Sequence, residues 1–362
     1  MKKRFLILIL VFSVQICYAQ SEKRALILES RLHSGINIPL YEALEYLIQD
    51  DLFAFDLSVS FPTYGKSFWE ELYNFPVTGI GYSYWTLGND EIFGKAHVLY
   101  GFINIPIKKN EKFSLNYQVS LGGAYLTRIF DVDKNHLNRA IGSHTNIYMR
   151  LGADAKIRIL PQCNMIIEGG LMHFSNGKTR SPNYGINACS VSMGFNYLFN
   201  GNNTSIQKTS IPLIDKKYGQ SILLSAGSKV YDNLLGKKYF VSSISYNIER
   251  VFNQRRRIGL GTDLFYDGSI REALAWEDGT PEKEFTKLIR FGIHGSYSIR
   301  YKKIIAGIQL GHYLYSKYTV MTKIYTRISL QYLITDNISG SLSIRSHLGK
   351  ADCLEWGLVY SW

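Results

Sequence analysis

The sequence predicts an all-β protein that crosses a membrane as an antiparallel β-barrel of about sixteen strands. Three observations support this prediction: segments of about ten residues in which apolar and polar residues alternate, an even number of such segments, and a last segment rich in aromatic residues. A tilted transmembrane strand needs roughly 9–11 residues, and bacterial barrels have even strand numbers.

The alternating segments follow one another along most of the chain. The clearest are 113–127, 144–159, 165–174, 186–199, 221–230, 240–251, 258–266, 288–300, 304–315, 323–334, 338–346 and 354–362, and weaker ones are 24–33, 53–61, 78–85 and 95–107. Connections alternate between short turns and longer loops, as barrel strands require. Two connections, 62–77 and 201–218, are long where the alternation calls for short turns, and residues 350–352 form only a short connection where a long loop is due.

A polar stretch at 200–219 separates the first eight segments from the last eight. The chain can therefore form one sixteen-stranded barrel, which we favour from the sequence. The alternative is an eight-stranded barrel followed by a second eight-stranded unit. The expected organisation is a barrel half at 20–199, a linker at 200–219, and a second strand region at 220–362 that completes the barrel.

The N-terminus has the layout of a cleavable secretory signal. Lys2, Lys3 and Arg4 precede an apolar run at 5–14, and Ala19 provides a small residue for cleavage. Such a segment is too short to span a bilayer as a helix, and the rest of the chain has no apolar run approaching 18 residues. We therefore expect residues 1–19 to be removed and the protein to be exported.

Composition and the C-terminus point to the outer membrane. The chain contains 26 Tyr, 19 Phe and 31 Gly but only 8 Pro, which suits long twisted strands with aromatic belts. In the last segment Trp356, Tyr360 and Trp362 share one face. This ending resembles the strand by which outer-membrane proteins are recognised for insertion, and so implies the barrel-assembly machinery as a partner.

One pair of adjacent segments carries a candidate site. His173 and Ser175 are two residues apart on one strand, so their side chains share a face. Preceding residues on that face are apolar or small, whereas Glu168 lies on the opposite face. In the next segment Asn187 begins a similar apolar stripe. The three polar side chains are therefore expected together on the lipid-facing wall, at the extracellular rim.

The run from His173 to Gly177, followed by Asn183 and Gly185, reads His-x-Ser-Asn-Gly, a short loop, then Asn and Gly. It resembles the lipid A deacylase family of outer-membrane acyl hydrolases, also labelled acyloxyacyl hydrolases. The resemblance ends near residue 199. It implies an outer-membrane serine esterase that removes an ester-linked acyl chain from lipid A, the anchor of lipopolysaccharide.

The resemblance also implies roles for individual residues. Ser175 is the nucleophile, His173 is the general base and then the general acid, and Asn176 and Asn183 stabilise the oxyanion. The family usually has a glutamate fourteen residues after the histidine, where this chain has Asn187. An amide can orient the imidazole but supports its charged form less well.

The loop after Ser175 supplies the expected substrate contacts. Gly177, Lys178 and Arg180 lie there, and the two cations either bind lipid A phosphates or form a solvated basic loop. The formal net charge of +12 suits anionic lipopolysaccharide and other outer-membrane lipids, and does not indicate nucleic acid. Serine hydrolysis needs no cofactor, and the remaining histidines show no metal spacing.

A non-enzymatic barrel is the competing interpretation. A sixteen-stranded barrel encloses a channel unless it is plugged, so the chain could be a porin or a structural surface protein. Lumen-facing Arg150, Asp154 and Glu168 would then line the channel. The role of residues 220–362 is left open by either interpretation.

Overall fold

The computed structural model describes residues 25–200, 206–214, 217–230, 237–278, 284–318 and 322–362. The signal sequence expected at 1–19 and parts of the expected linker lie outside these residues. Sixteen antiparallel strands are present, which confirms the predicted class and strand number. The strands are β1 Leu26–Asn37, β2 Leu52–Pro62, β3 Val77–Thr86, β4 Lys95–Lys109, β5 Phe113–Leu126, β6 Thr145–Leu160, β7 Cys163–Ser175, β8 Ile186–Phe199, β9 Tyr218–Val230, β10 Lys238–Val251, β11 Arg256–Asp267, β12 Ile289–Tyr301, β13 Ile304–Ser316, β14 Ile324–Leu333, β15 Ile338–His347 and β16 Lys350–Ser361.

The strands close into two barrels of eight, the alternative arrangement, and not into the single barrel of sixteen that we favoured. β8 pairs with β1 over twelve residues, from Leu26 opposite Phe199 to Asn37 opposite Ala188. β16 pairs with β9 in the same way. Each ring is therefore complete without the other. By their contacts the compact units are 1–176 with 184–211, and 177–183 with 212–362.

Both barrels show apolar residues outside and polar residues inside. On β8 the outward Val191, Met193 and Phe195 are exposed, while the inward Ser190 and Ser192 are buried. This is the reverse of a soluble protein and is the pattern of a barrel whose outer wall contacts lipid. Trp356 and Tyr360 also lie exposed on the outer wall. Among the described residues, no helix is long and apolar enough to cross a bilayer.

The lumen of the first barrel is filled by an ionic network. Arg150 Nε donates to Glu168 Oε1 at 2.9 Å, and Glu168 also pairs with Arg31. Arg31 pairs in turn with Glu29, and Asn116 donates to Asp154 at 2.6 Å. The three residues proposed above as channel-lining are thus in the lumen, where they bind one another or neighbouring amides.

The second barrel has a comparable network. Arg327 and His294 both contact Asp263, at 3.0 and 2.6 Å. Lys229 lies 2.6 Å from Asp267 and 2.8 Å from Asp352. Eight-stranded barrels have interiors that their own side chains can fill, and the charged side chains of these networks occupy part of both lumens.

Short helices occur only in the connections of the described chain. They are α1 Glu42–Glu45, α2 Phe68–Leu72, α3 Ile270–Asp278 and a 3₁₀ turn Phe285–Leu288. At the end of the first barrel that carries its long loops, apolar side chains close the lumen. They include Trp85, Leu87, Tyr148 and Phe174, all buried. This core supports the wall on which the candidate site lies.

The two long connections that broke the predicted alternation contact each other. Gln207 N–H donates to the Tyr64 carbonyl at 2.8 Å, and Thr209 Oγ donates to the Gly65 carbonyl at 2.6 Å. Thr209 N–H also donates to Glu71 on α2 at 2.8 Å. Residues 206–209 are therefore held by the β2–β3 connection, which accounts for the length of both segments.

Candidate active site

The site is built on the outer wall of the first barrel, where β7 ends and β8 begins. His173 lies opposite Asn187 in the β7–β8 register, and it lies opposite Met149 in the β6–β7 register. Directly opposed residues share a face. Further along this face towards the barrel middle, Leu171 and Val191 are exposed. The face of the candidate triad is therefore the lipid-facing one, as the alternation predicted.

A short hydrogen bond joins His173 to Asn187. The distance from His173 Nδ1 to Asn187 Oδ1 is 2.7 Å. An amide oxygen can only accept, so Nδ1 carries the proton in the neutral ring and Nε2 carries the lone pair. Nε2 is then the nitrogen that can take a proton from a hydroxyl. Asn187 therefore contacts the imidazole directly.

Ser175 is the last residue of β7, and its side chain is buried. It lies two positions beyond His173, roughly 7 Å along the strand, on the same face. The following residue, Asn176, donates from its side-chain amide to Ser143 Oγ at 2.9 Å. Ser143, two residues before β6, in turn donates to the Thr145 carbonyl at 3.1 Å. The chain therefore leaves β7 through an anchored residue.

Gly185 contacts the imidazole from the loop side. Its φ is +77°, a conformation that favours glycine. A Cβ at this position would lie 2.8 Å from His173 Cε1 and 3.2 Å from the Phe174 carbonyl. Gly185 N–H donates to the Ala140 carbonyl at 2.9 Å, which fixes the loop. Gly185 thus leaves the space that the ring occupies beside Asn187, and only its place in the motif was evident from the sequence.

The remaining candidate residues lie in the connection between β7 and β8. Lys178 and Arg180 lie within this connection. Gly177 and Lys178 have positive φ values of 63° and 62°. The assignment of Gly177, Lys178, Arg180 and Asn183 to the site rests on the sequence resemblance.

An apolar groove of about 600 Å³ runs down the outer wall next to the site. Ile36, Leu151, Leu171 and Val191 are among the residues that line it. Gly169 also lines the groove, and because it has no side chain it does not fill the space. The row Leu151, Leu171 and Cys189 comes directly after the row Met149, His173 and Asn187 in the strand register. The groove therefore begins one step along the wall from the imidazole.

No group of three or more His, Cys, Asp or Glu side chains in the described chain could hold a metal ion. Cys163, Cys189 and Cys353 are free thiols. The chemistry that this wall offers is accordingly that of a hydroxyl, an imidazole and an amide beside an apolar groove.

Two family models match the chain. Residues 53–196 match lipid A 3-O-deacylase (PagL), and residues 219–362 match the C-terminal domain of acyloxyacyl hydrolase. Each match covers about two fifths of the chain, and each coincides with one of the two barrels. The first match contains β2 to β7 and most of β8, with the whole candidate triad. The second match covers the second barrel, which lies beyond the end of the resemblance found from the sequence.

Two solved structures are similar to parts of the chain. The outer-membrane enzyme PagL is 16% identical, with a TM-score of 0.31, and 46% of this chain covers 97% of it. Neisserial surface protein A is 13% identical, with a TM-score of 0.31, and 48% of this chain covers 97% of it. No curated protein matches the chain.

Proposed function

We propose that this protein is a lipid A deacylase, an outer-membrane esterase that removes an ester-linked acyl chain from lipid A, with Ser175 as nucleophile and His173 as base. The observation that carries the proposal is the hydrogen bond from His173 to Asn187 on the lipid-facing wall, next to an apolar groove. A serine hydroxyl is a poor nucleophile until a base takes its proton. An imidazole whose tautomer is fixed is such a base.

The proposed reaction follows the serine hydrolase scheme. His173 Nε2 takes the hydroxyl proton as Ser175 Oγ bonds to the ester carbonyl carbon, and the imidazolium then gives that proton to the leaving sugar oxygen. Water attacks the acyl-serine with His173 again as base, which releases the fatty acid and restores Ser175. Donors from Asn176 and Asn183 would stabilise the oxyanion, and each such donor contributes roughly 2.7–4 kcal/mol to barrier lowering.

The groove explains why the site faces lipid. An acyl chain of the outer leaflet can lie along this apolar surface without entering water, where each exposed CH₂ would cost about 0.8 kcal/mol. The ester of a chain in the groove would reach the row of His173 and Asn187. Lys178 and Arg180 are proposed to bind the phosphates of the same lipopolysaccharide molecule, and no cofactor is required. Export through the signal at 1–19 and insertion by the barrel-assembly machinery belong to the same proposal.

The proposal is tested by mass spectrometry of lipid A from a Gram-negative host strain that does or does not produce the protein. The expected result is a population of lipid A molecules that each lack one acyl chain. The same host with His173→Ala should keep the full set of chains. Identical lipid A in all three strains, with the barrel present in the membrane, contradicts the proposed function.

Gly169→Leu is expected to restrict the reaction to shorter acyl chains. A Cβ at Gly169 meets no atom within 4 Å, so the barrel tolerates the side chain while the groove is filled. Gly123→Leu is the matched control, because a Cβ there also meets no atom and Gly123 does not line the groove. Rates measured on esters of increasing chain length should fall for the long chains in Gly169→Leu alone. Equal profiles for the two variants would exclude the groove as acyl site.

Asn187→Glu is expected to retain the hydrolysis rate or raise it by up to about tenfold, because a hydrogen bond to a carboxylate is roughly twice as strong as one to an amide. The carboxylate would also stabilise the imidazolium. Asn187→Leu removes the acceptor and should slow the reaction at least about tenfold. Initial rates of fatty acid release check both. A leucine variant as fast as wild type would show that Asn187 does not orient His173.

The ionic networks argue against a porin. Glu29, Arg31, Arg150 and Glu168 form ion pairs inside the first lumen, and Asp263 forms ion pairs with Arg327 and His294 inside the second. We expect the purified protein to give no steady ion conductance in a planar bilayer. Stable conductance steps of an open pore would favour the competing function.

A further inference from the structure

The end of the first barrel opposite the candidate active site contains a cavity of about 250 Å³. Four basic side chains contribute to its wall: Lys109, Lys112, Lys156 and Arg158. Of the carboxylates in the described chain, the wall includes only that of Glu111. The cavity therefore has a strong excess of positive charge.

The strand register brings these cations together. Lys109 lies opposite Ser114, and Ser114 lies opposite Lys156. Opposed residues share a face, and this face is the lumen, because Asn116, two residues after Ser114, is buried there. Arg158 follows Lys156 by two residues and lies on the same face. The β4–β5 turn and the strands β4 and β6 thus place their positive charges around the same cavity.

Lys112 is held next to Arg158 by the backbone. Arg158 N–H donates to the Lys112 carbonyl at 2.9 Å. The β4–β5 turn is itself fixed, because Asn110 Oδ1 accepts from the N–H groups of Lys112 and Phe113 at 3.0 and 2.8 Å. The cluster is therefore part of an ordered turn.

The protein supplies little negative charge to balance this cluster. Lys156 Nζ is 3.9 Å from Glu29 Oε2, but Glu29 also pairs with Arg31 and accepts from Asn196. Within the described ranges, no ion pair joins Lys109, Lys112 or Arg158 to a carboxylate. Several cations around one cavity repel one another unless an anion lies between them.

We propose that this cavity binds a phosphate group, carried either by free phosphate or by the headgroup of an anionic phospholipid. Lys and Arg are the side chains that proteins use for phosphate, the first as a point charge and the second as a planar fork. A volume of 250 Å³ equals that of about eight liquid water molecules, which leaves room for a hydrated phosphate ester. The site lies at the other end of the barrel from His173 and is independent of the proposed hydrolysis.

The test is phosphate binding by the full-length protein in neutral detergent. Inorganic phosphate is titrated by calorimetry, with equal concentrations of chloride as the reference for unspecific screening. Retention of phosphatidylglycerol against phosphatidylcholine is measured by native mass spectrometry. The first experiment detects free phosphate, and the second detects a lipid headgroup.

The triple variant Lys109→Gln, Lys112→Gln, Arg158→Gln should bind the phosphate ligand at least about tenfold more weakly than wild type. Lys108→Gln is the matched control: it removes a neighbouring exposed cation that does not line the cavity, and it should bind as wild type does. Folding is checked by the change in electrophoretic mobility on heating. Lys112→Gln alone, in the turn, replaces the triple variant if that variant does not fold.

Saturable binding of inorganic phosphate, or selective retention of phosphatidylglycerol, supports the proposal when it is weakened in the variant and kept in Lys108→Gln. The charge-preserving pair Lys109→Arg, Lys112→Arg should retain binding. The proposal is overturned if wild type binds neither ligand more strongly than chloride screening explains, or if the variant and Lys108→Gln bind alike.

Discussion

Ser175→Ala is expected to reduce ester hydrolysis at least about a thousandfold while the first barrel folds as in the wild type. The hydroxyl is the proposed nucleophile. The thiol of Cys189 is not expected to take its place, because it lies in the groove, two residues beyond Asn187. Removal of one hydroxyl at the end of β7 is expected to change the stability of the barrel little. Fatty acid release from lipid A micelles measures the rate.

A matched variant separates catalysis from folding. Ser143→Ala removes a hydroxyl that contacts Asn176, and it should lower the rate far less than Ser175→Ala does. Heat-dependent electrophoretic mobility should be the same for both variants. A Ser175→Ala protein that still releases fatty acid at a tenth of the wild-type rate or faster would remove Ser175 from the mechanism.

Gly185→Ala is expected to lower the rate about a hundredfold, the effect of moving a catalytic group by about 1 Å. The new Cβ would lie 2.8 Å from His173 Cε1, so the ring must shift away from Asn187 or the loop must move. The positive φ of 77° adds a backbone penalty of about 1–2 kcal/mol. The rate of fatty acid release and the thermal midpoint are measured together.

Gly349→Ala separates these two effects. Gly349 has a φ of +80°, and a Cβ there meets no atom within 4 Å, so this variant has the backbone penalty without the contact to His173. It should lose a similar amount of stability and keep its activity. If both variants are equally active, Gly185 does not position the imidazole.

The strands were largely predictable because alternation is a local property. The segment expected at 186–199 is β8 itself, and the segment expected at 113–127 differs from β5 by one residue. The weak alternation at 24–33 also corresponds to a strand, β1. Outward residues such as Val191 are exposed and their neighbours are buried. This alternation depends only on the two sides of one strand and not on which other strand it pairs with.

Closure was not predictable from the same pattern. Whether β8 continues to β9 or returns to β1 depends on pairing between Leu26 and Phe199, far apart in the chain. The alternation of either strand is the same in both cases. The polar stretch at 200–219 raised the possibility of two units, but a linker and a long turn look alike in sequence.

The last hairpin shows a local error of the same kind. Residues 350–352 were expected to connect two strands, but β16 begins at Lys350. The turn lies at Leu348 and Gly349, which have φ values of 49° and 80°. A leucine with positive φ is rare, so its sequence does not indicate a turn.

The orientation of the candidate site was predictable, whereas its support was not. Parity along β7 and β8 places His173 and Asn187 on one wall, and the register then brings them opposite each other. The contact of Gly185 with the ring and the hydrogen bond of Asn176 to Ser143 depend on how loops return to the barrel. Spacing within one segment carries no information about such contacts.

The central claim is that Ser175 is the residue to which the acyl group is transferred, and covalent trapping tests it most directly. The purified protein is treated in detergent with a long-chain alkyl fluorophosphonate, which reacts with activated serines, and the modified peptide is identified by mass spectrometry. One adduct is expected, on Ser175, and it should be absent in His173→Ala. A preparation that releases fatty acid from lipid A while Ser175 stays unmodified, or an adduct on another serine, would contradict the central claim.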